Sequence, residues 1–527
     1  MFRTTFQRCG FSVALVVVLA LVGFGLWQET GGQQQATGGM AFKDVMDDVG
    51  TADPMLTWHG YHDTVICADW DNDGDEDILV VISPHSKSPF KGSGRMLVNL
   101  LVETGKLRFE NRTDQLMPGG ISKRVVADTF PYFLDLDADG WLDIASISDE
   151  GGSCTFHNNG KGVYSLENWG FGASWLVIKD INGDGALDVV SLETGLIYVN
   201  DGTGKFSLSK DNFGYLCGPV PGGVLPLPPG VEGVDEETKK KAAAPRATCT
   251  WQKIDLNGDG IPDYMLMLNQ PYGPKWTRFY AGSKDGKYRD VTADTGLPPF
   301  AAIELADVDG NGVDDAFVQC TTPEAGIYLG DGKGHFRKVP DNEEVDKCMR
   351  VSCGCYKHPD VLADFNNDGT LDLALMRYRE GGHSGLFQGV GGGRFKLIQR
   401  TNASWGQFLA DLDNDGLLDV VAANDRLPGV HVWKNVSTGT GAYLRVLLKG
   451  TGKNPFAANA VVDVFQAGSL GKKDKRLGTR VAGADGLPLH LGLGKHEEVD
   501  LKVTFAGGKT MEKRGVKTNE TLRVEEK

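Results

Sequence analysis

The stretch DWDNDGDEDI, residues 69–78, sets Asp69, Asp71, Asp73, Asp75 and Asp77 within nine positions. Like charges this close repel, so something must compensate them. The spacing D-x-D-x-D-G-x-x-D, with Asn allowed at the second and third acidic slots, recurs from Asp135, Asp180, Asp255, Asp307, Asp364 and Asp411. Each copy has Gly at position 6 and Asp at position 9. Calcium is a hard cation that takes six to eight oxygens at about 2.3–2.6 Å. Carboxylates at positions 1, 3 and 5 point inward from one tight turn, and the glycine permits the positive φ of the bend. Position 7 offers a carbonyl, and Asp at position 9 reaches back.

This reading assigns each loop its ligands. The first uses the side chains of Asp69, Asp71, Asp73 and Asp77 and the carbonyl of Asp75. The second uses Asp135, Asp137, Asp139, Asp143 and the carbonyl of Trp141; the third Asp180, Asn182, Asp184, Asp188 and that of Ala186. The fourth uses Asp255, Asn257, Asp259, Asp263 and Ile261, and the fifth Asp307, Asp309, Asn311, Asp315 and Val313. The sixth uses Asp364, Asn366, Asp368, Asp372 and Thr370, and the seventh Asp411, Asp413, Asp415, Asp419 and Leu417. The fifth departs most, with Asn311 at position 5, and is expected to bind more weakly. Up to seven calcium ions are expected. Seven Asx-rich turns without metal are the alternative, and they would leave the carboxylates crowded.

The charge agrees. The formal net charge of −16 argues against nucleic acid as a partner. Seven divalent ions carry fourteen charges, which would bring −16 to about −2. The acidity therefore reads as metal-site chemistry.

The elements that position the loops are strands. Apolar runs follow the loops, among them ILVV at 78–81, YMLML at 264–268 and VVAA at 420–423. Short β-rich runs between turn residues read as buried strands. A strand precedes each loop; a third follows, as in GLIYVN at 195–200 and GVHVWKN at 429–435. A fourth opens on G-x-[FY], as in GKFSLSK at 204–210 and GKYRDVT at 286–292. Loop starts lie 66, 45, 75, 52, 57 and 47 residues apart. Units of about 40–50 residues with four strands are propeller blades. The longest interval holds residues 219–246, a Pro- and Lys-rich surface insertion. The last unit lacks a fourth strand, and AFKDVMDDVG at 41–50 resembles KYRDVTADTG at 287–296. Residues 41–48 are therefore expected to complete the seventh blade and close the ring, which hides sheet edges. An open solenoid is the alternative.

Residues 1–30 read as an export signal or membrane anchor: Arg3 and Arg8 precede the apolar run Phe11–Leu26. Residues 31–40 form a linker. Either reading places the rest of the chain outside the cytoplasm. Besides Cys9 there are eight cysteines, an even number that permits disulfides. The candidate bridges are Cys217–Cys249 and one within Cys348–Cys355; CMRVSCGCYKH could instead be a metal or redox cluster.

With these motifs the chain resembles FG-GAP/VCBS repeats, which include the calcium-loop propeller of integrin α-subunits, over residues 41–436. The tail, residues 441–527, with AYLRVLLKG, LPLHLGLGKHEEVDLKVTFAGGK and TLRVEE, is similar to the ASPIC/UnbV module that follows such repeats in the cartilage acidic protein family. It departs in NAVVDV and in FAGG at 505–508. The expected fold is thus all-β: a seven-bladed calcium-loop β-propeller followed by a small β-sandwich-like domain.

The expected function is a calcium-stabilised, non-enzymatic scaffold for extracellular binding or adhesion, with a protein or glycan ligand on the face opposite the metals or on the insertion. Two alternatives stand. One is an exported propeller enzyme acting on polysaccharide, with His59 and His62 of HGYHD as candidate site residues. The other is a structural component of an envelope complex docked through the C-terminal module. No G-x-S-x-G, H-E-x-x-H or Walker loop occurs. The only membrane contact expected is through the N-terminal segment.

Overall fold

The computed structural model describes residues 39–527 apart from 54–55, 57–63, 82–93, 119–130, 147–153, 168–175, 192–195, 210–216, 220–247, 270–275, 321, 351–360, 376–383, 402–404, 424–428 and 473–474. The apolar run Phe11–Leu26, His59 and His62, nearly all of the insertion, and Cys353 and Cys355 lie outside the described residues. Among the described residues no helix is long and apolar enough to cross a membrane.

The strand after each loop is where the chain spends its β-branched and aliphatic residues. Asp77–Val81, Asp372–Leu375 and Asp419–Ala423 are buried at every position. A strand covered on both faces reads as a continuous apolar run, not as an alternation. Each is the second strand of an antiparallel sheet built in chain order, such as Thr64–Ala68, Asp77–Val81, Gly94–Asn99 and Phe109–Asn111. Seven such sheets lie between Phe42 and Asn435 among the described residues. The fourth has a fifth strand, Cys217–Pro219, beyond the expected four. It pairs with Thr248–Ile254 and sets Gly218 opposite Cys249, so the backbones of the expected Cys217–Cys249 bridge lie on neighbouring strands. Cys67 and Cys320 are buried free thiols.

The last sheet borrows its outer strand from the start of the chain. Phe42–Asp44 pairs antiparallel with Val430–Asn435, with Phe42 opposite Asn435 and Asp44 opposite Trp433. The Val45 amide continues the pairing to the Val432 carbonyl at 2.9 Å. The first and last sheets also share one core, where Val65, Cys67, Ile78 and Val80 meet Leu412, Val421 and Val432. Burying such side chains contributes roughly 1.5–3 kcal/mol each.

Residues 442–525 form two further sheets. One joins Ala442–Lys449 to Leu489–Gly494 and, in parallel, to Glu520–Glu525. The other orders Arg476–Val481, Val461–Gln466, Glu498–Thr504 and Thr510–Lys517. Leu444 and Val446 of the first sheet share a core with Val462, Val464, Leu501 and Val503 of the second.

Candidate functional site

The seven acidic loops share one backbone course. Position 6 is glycine with φ between 77° and 105° in every copy. Position 4 is also left-handed, with φ between 56° and 79° at Asn72, Ala138, Gly183, Gly258, Gly310, Asn367 and Asn414. Asn and Gly tolerate that region, and six of these seven residues are one or the other. The turn draws the amides inward onto the carboxylates. Asp69 accepts the amides of Asp73 at 3.0 Å and Gly74 at 3.1 Å. Asp135, Asp180, Asp307, Asp364 and Asp411 accept the equivalent pair. The position-7 amide donates to the position-5 side chain in all seven, at 2.7–3.1 Å. Asn311 plays this part in the fifth loop as the aspartates do elsewhere.

Position 9 has a role that spacing alone does not show. These aspartates are at most 1 % exposed. Asp263 takes the Leu256 amide on Oδ2 at 2.8 Å and the Gly282 amide on Oδ1 at 2.7 Å. The same double acceptance, from position 2 and from the end of the third strand, recurs at Asp143, Asp188, Asp315, Asp372 and Asp419. Position 9 thus ties loop to sheet before any ion is considered, and each oxygen keeps a second lone pair.

Four repeats add an asparagine at the end of the third strand. Asn158 Nδ2 donates to the Leu142 carbonyl of its own loop at 3.3 Å and to the Trp70 carbonyl of the preceding loop at 3.1 Å. Asn200 reaches Leu136 in the same way at 2.8 Å, and Asn435 reaches Phe365 at 2.7 Å. Asn99 of the first repeat reaches back to Leu412 of the last at 2.9 Å. Repeats four to six have Gly282, Gly330 and Gly389 there, where an added Cβ would lie 2.2–2.3 Å from a loop carbonyl.

The acidic side chains do converge. Ligand-capable oxygens of Asp69, Asp71 and Asp73 lie within 4.8 Å of one another, as do those of Asp135, Asp137 and Asp143, and of Asp307, Asp309 and Asp315. Burial raises the carboxyls of Asp69, Asp135 and Asp364 to about 7 and Asp372 to about 8, and neighbouring carboxylates add to the rise. Asp71 Oδ1 and Asp77 Oδ2 are buried without a hydrogen-bond partner. Oxygens that are desolvated, crowded and partly unpartnered fit a hard divalent cation. Sequence reasoning did not single out His157, whose Nδ1 lies 3.5 Å from Asp137 and 3.2 Å from Asp143 in the second loop. It also passed over the Asp75 and Glu103 side chains, which cluster with Asp73.

The seventh loop differs from the others in its charge partners, although Asp413 Oδ1 is, like Asp71 Oδ1, buried without a hydrogen-bond partner. Lys434 pairs with Asp413 and lies 3.7 Å from Asp415, and Arg445 lies 3.1 Å from Asp411. Positions 1, 3 and 5 are each met by a protein cation. Among the described residues the one other loop with a Lys or Arg ion pair within 4 Å at these positions is the third, while Arg480 acts at longer range on Asp364 of the sixth and Arg112 on Asp71 and Asp73 of the first. In the third, Lys453, about two-fifths exposed, touches Asp184 at 3.3 Å.

The C-terminal sheets meet these loops. The Gly441 amide donates to the Asn366 carbonyl at 3.0 Å, and the Gly494 amide to that of Asn367 at 2.9 Å. His490 Nε2 lies 2.8 Å from Asn367 Oδ1, and Arg445 donates to Asn414 Oδ1 at 2.5 Å. The other ends of these asparagines bridge loops: Asn367 Nδ2 donates to Gly416, and Asn414 Nδ2 to Gly74. Phe456 packs against the core around Trp70, and Ala458 lies in the core with Leu136 and Leu187.

Residues 135–191 and 255–318 match the model of the FG-GAP-like repeat, and residues 450–527 match that of ASPIC and UnbV. No curated protein matches. A solved lectin of Agrocybe aegerita, described as recognising non-reducing terminal N-acetylglucosamine, is similar with a TM-score of 0.35 and 17 % identity, over 73 % of this chain and 92 % of its own. The extracellular domain of a one-component system from B. thetaiotaomicron is similar with a TM-score of 0.35 and 10 % identity, over 92 % of this chain and 58 % of its own.

Proposed function

We propose that this chain of FG-GAP-like repeats with an ASPIC and UnbV domain is an exported, seven-bladed β-propeller. Calcium in its loops would stabilise it as a non-enzymatic binding scaffold. The observation that carries the reading is the first loop, where buried oxygens of Asp71 and Asp77 have no protein donor. The ligands are the side chains at positions 1, 3, 5 and 9 and the carbonyl at position 7. A filled site at ten times its dissociation constant adds about 1.4 kcal/mol. Several together rival the whole stability of a domain, about 5–15 kcal/mol.

The C-terminal contacts to loops one, two, three, six and seven support placing the ligand surface on the opposite face, where a protein or glycan would dock. High calcium outside the cytoplasm suits loops of modest affinity. Calorimetric titration of the chelator-stripped chain with calcium tests the reading. Saturable binding of several ions is expected, and no heat of binding at millimolar calcium would overturn it.

A further inference from the structure

We infer that the seventh loop is neutralised by Lys434 and Arg445 instead of a calcium ion, and that this exchange latches the C-terminal module onto the seam between the first and last sheets. The inference rests on the calcium reading of the other loops and is separable from it.

Lys434 is the penultimate residue of its third strand, one before Asn435. The equivalent residues are Val98, His157, Val199, Ala281, Leu329 and Gln388. Lys434 is thus the one permanent cation at this place in the repeat. Its ammonium faces Asp413 and Asp415, the carboxylates at positions 3 and 5. Arg445 approaches from the other side. Its side chain is 8 % exposed and touches Asp411, Asn414 and Glu76. Glu76 stands at position 8 of the first loop, a place taken by Leu142, Leu187, Pro262, Asp314, Leu371 and Leu418 in the others. The guanidinium therefore spans two loops that belong to opposite ends of the repeat array.

A divalent ion at the centre of Asp411, Asp413 and Asp415 would face both cations at close range, and that repulsion disfavours its entry. The tail then does what an ion does in the other loops, and it does so only when docked. Tyr443, on the same strand, fixes the position: a Cβ on Gly416 would lie 2.1 Å from its ring.

The test counts ions on the full chain after stripping with a chelator and resupply of calcium chloride at millimolar concentration. Asp413→Asn should leave the count unchanged, while Asp137→Asn lowers it by one; Lys434→Gln, at a partly exposed site, should raise it by one. Loss of an ion in Asp413→Asn, or no gain in a folded Lys434→Gln chain, overturns the inference and leaves calcium binding elsewhere intact. A second readout does not involve the metal. In chelator, Arg445→Lys should speed amide exchange across residues 442–449 at least tenfold relative to residues 461–466, and equal rates would overturn the latch. A chain that binds no calcium at any loop instead overturns the reading on which the ion count depends.

Discussion

Arg445 Nη2 and Glu76 Oε1 lie 3.0 Å apart across 369 residues of sequence, and their side chains are 8 % and 6 % exposed. Burial pushes the Glu76 carboxyl up to about 8 even though Arg445 opposes the rise. A carboxyl near 8 is largely protonated at pH 7, so removing Arg445 leaves a neutral buried acid short of a hydrogen-bond partner, which costs about 1–3 kcal/mol. Arg445→Met should lower unfolding free energy by that order in urea titration, whereas Arg445→Met with Glu76→Leu should recover part of it. An additive double variant would contradict the coupling.

Asp263 is committed to two backbone amides whether or not an ion is present. Asp263→Asn turns one acceptor oxygen into a donor facing an N–H. The expected loss is about 1–3 kcal/mol in chelator, from the two amides alone, and larger in calcium, where a ligand is lost as well. A loss confined to calcium would assign the residue to the metal alone.

Asn99 joins the first repeat to the Leu412 carbonyl of the last, while Asn200 joins the third to Leu136 of the second. Each also satisfies its own loop, at Glu76 and Leu187. Replacement by Ala leaves two buried carbonyls short of a donor, at about 1–3 kcal/mol. Thermal melts of Asn99→Ala and Asn200→Ala should fall together if the seam is built like the other junctions. An unaffected Asn99→Ala would show that the seam is held by other means.

The raised carboxyls set a pH dependence with opposite signs in the two metal states. Folded values of about 7 for Asp69, Asp135 and Asp364 and about 8 for Asp372 exceed the ordinary carboxylate value near 4. The folded chain without metal therefore binds more protons than the unfolded one. These groups favour folding below about pH 4, and that contribution is lost as pH rises through 7–8. Chelated protein should melt lower at pH 8 than at pH 5.5. Calcium needs the ionised form, so its affinity should fall as pH drops below 7. Melting temperatures in chelator that rise from pH 5.5 to 8 would contradict the assignment.

Much of this was legible in the residues because the loop motif is local and repeated. Gly at position 6 and the apolar runs after position 9 identified turn and strand, and the likeness of residues 41–50 to residues 287–296 pointed to the pairing of Phe42–Asp44 with Val430–Asn435. The left-handed position 4 was present as Asn or Gly in six copies but carried no chemistry to draw notice. The structural role of position 9 was not legible, because its two amide donors come from a loop start and a strand end that meet only in the sheet. Lys434 was visible in GVHVWKN, yet its direction depends on the strand's register. Arg445 had no local signal, since its partners Glu76 and Asp411 lie at opposite ends of the repeat array.

The central claim is that divalent ions hold the acidic loops, and differential scanning calorimetry of the full chain with and without chelator tests it most directly. Several filled sites at about 1.4 kcal/mol each should separate the two melts by on the order of 10 °C, with full recovery on adding calcium back. Coincident melts at millimolar calcium would contradict the account.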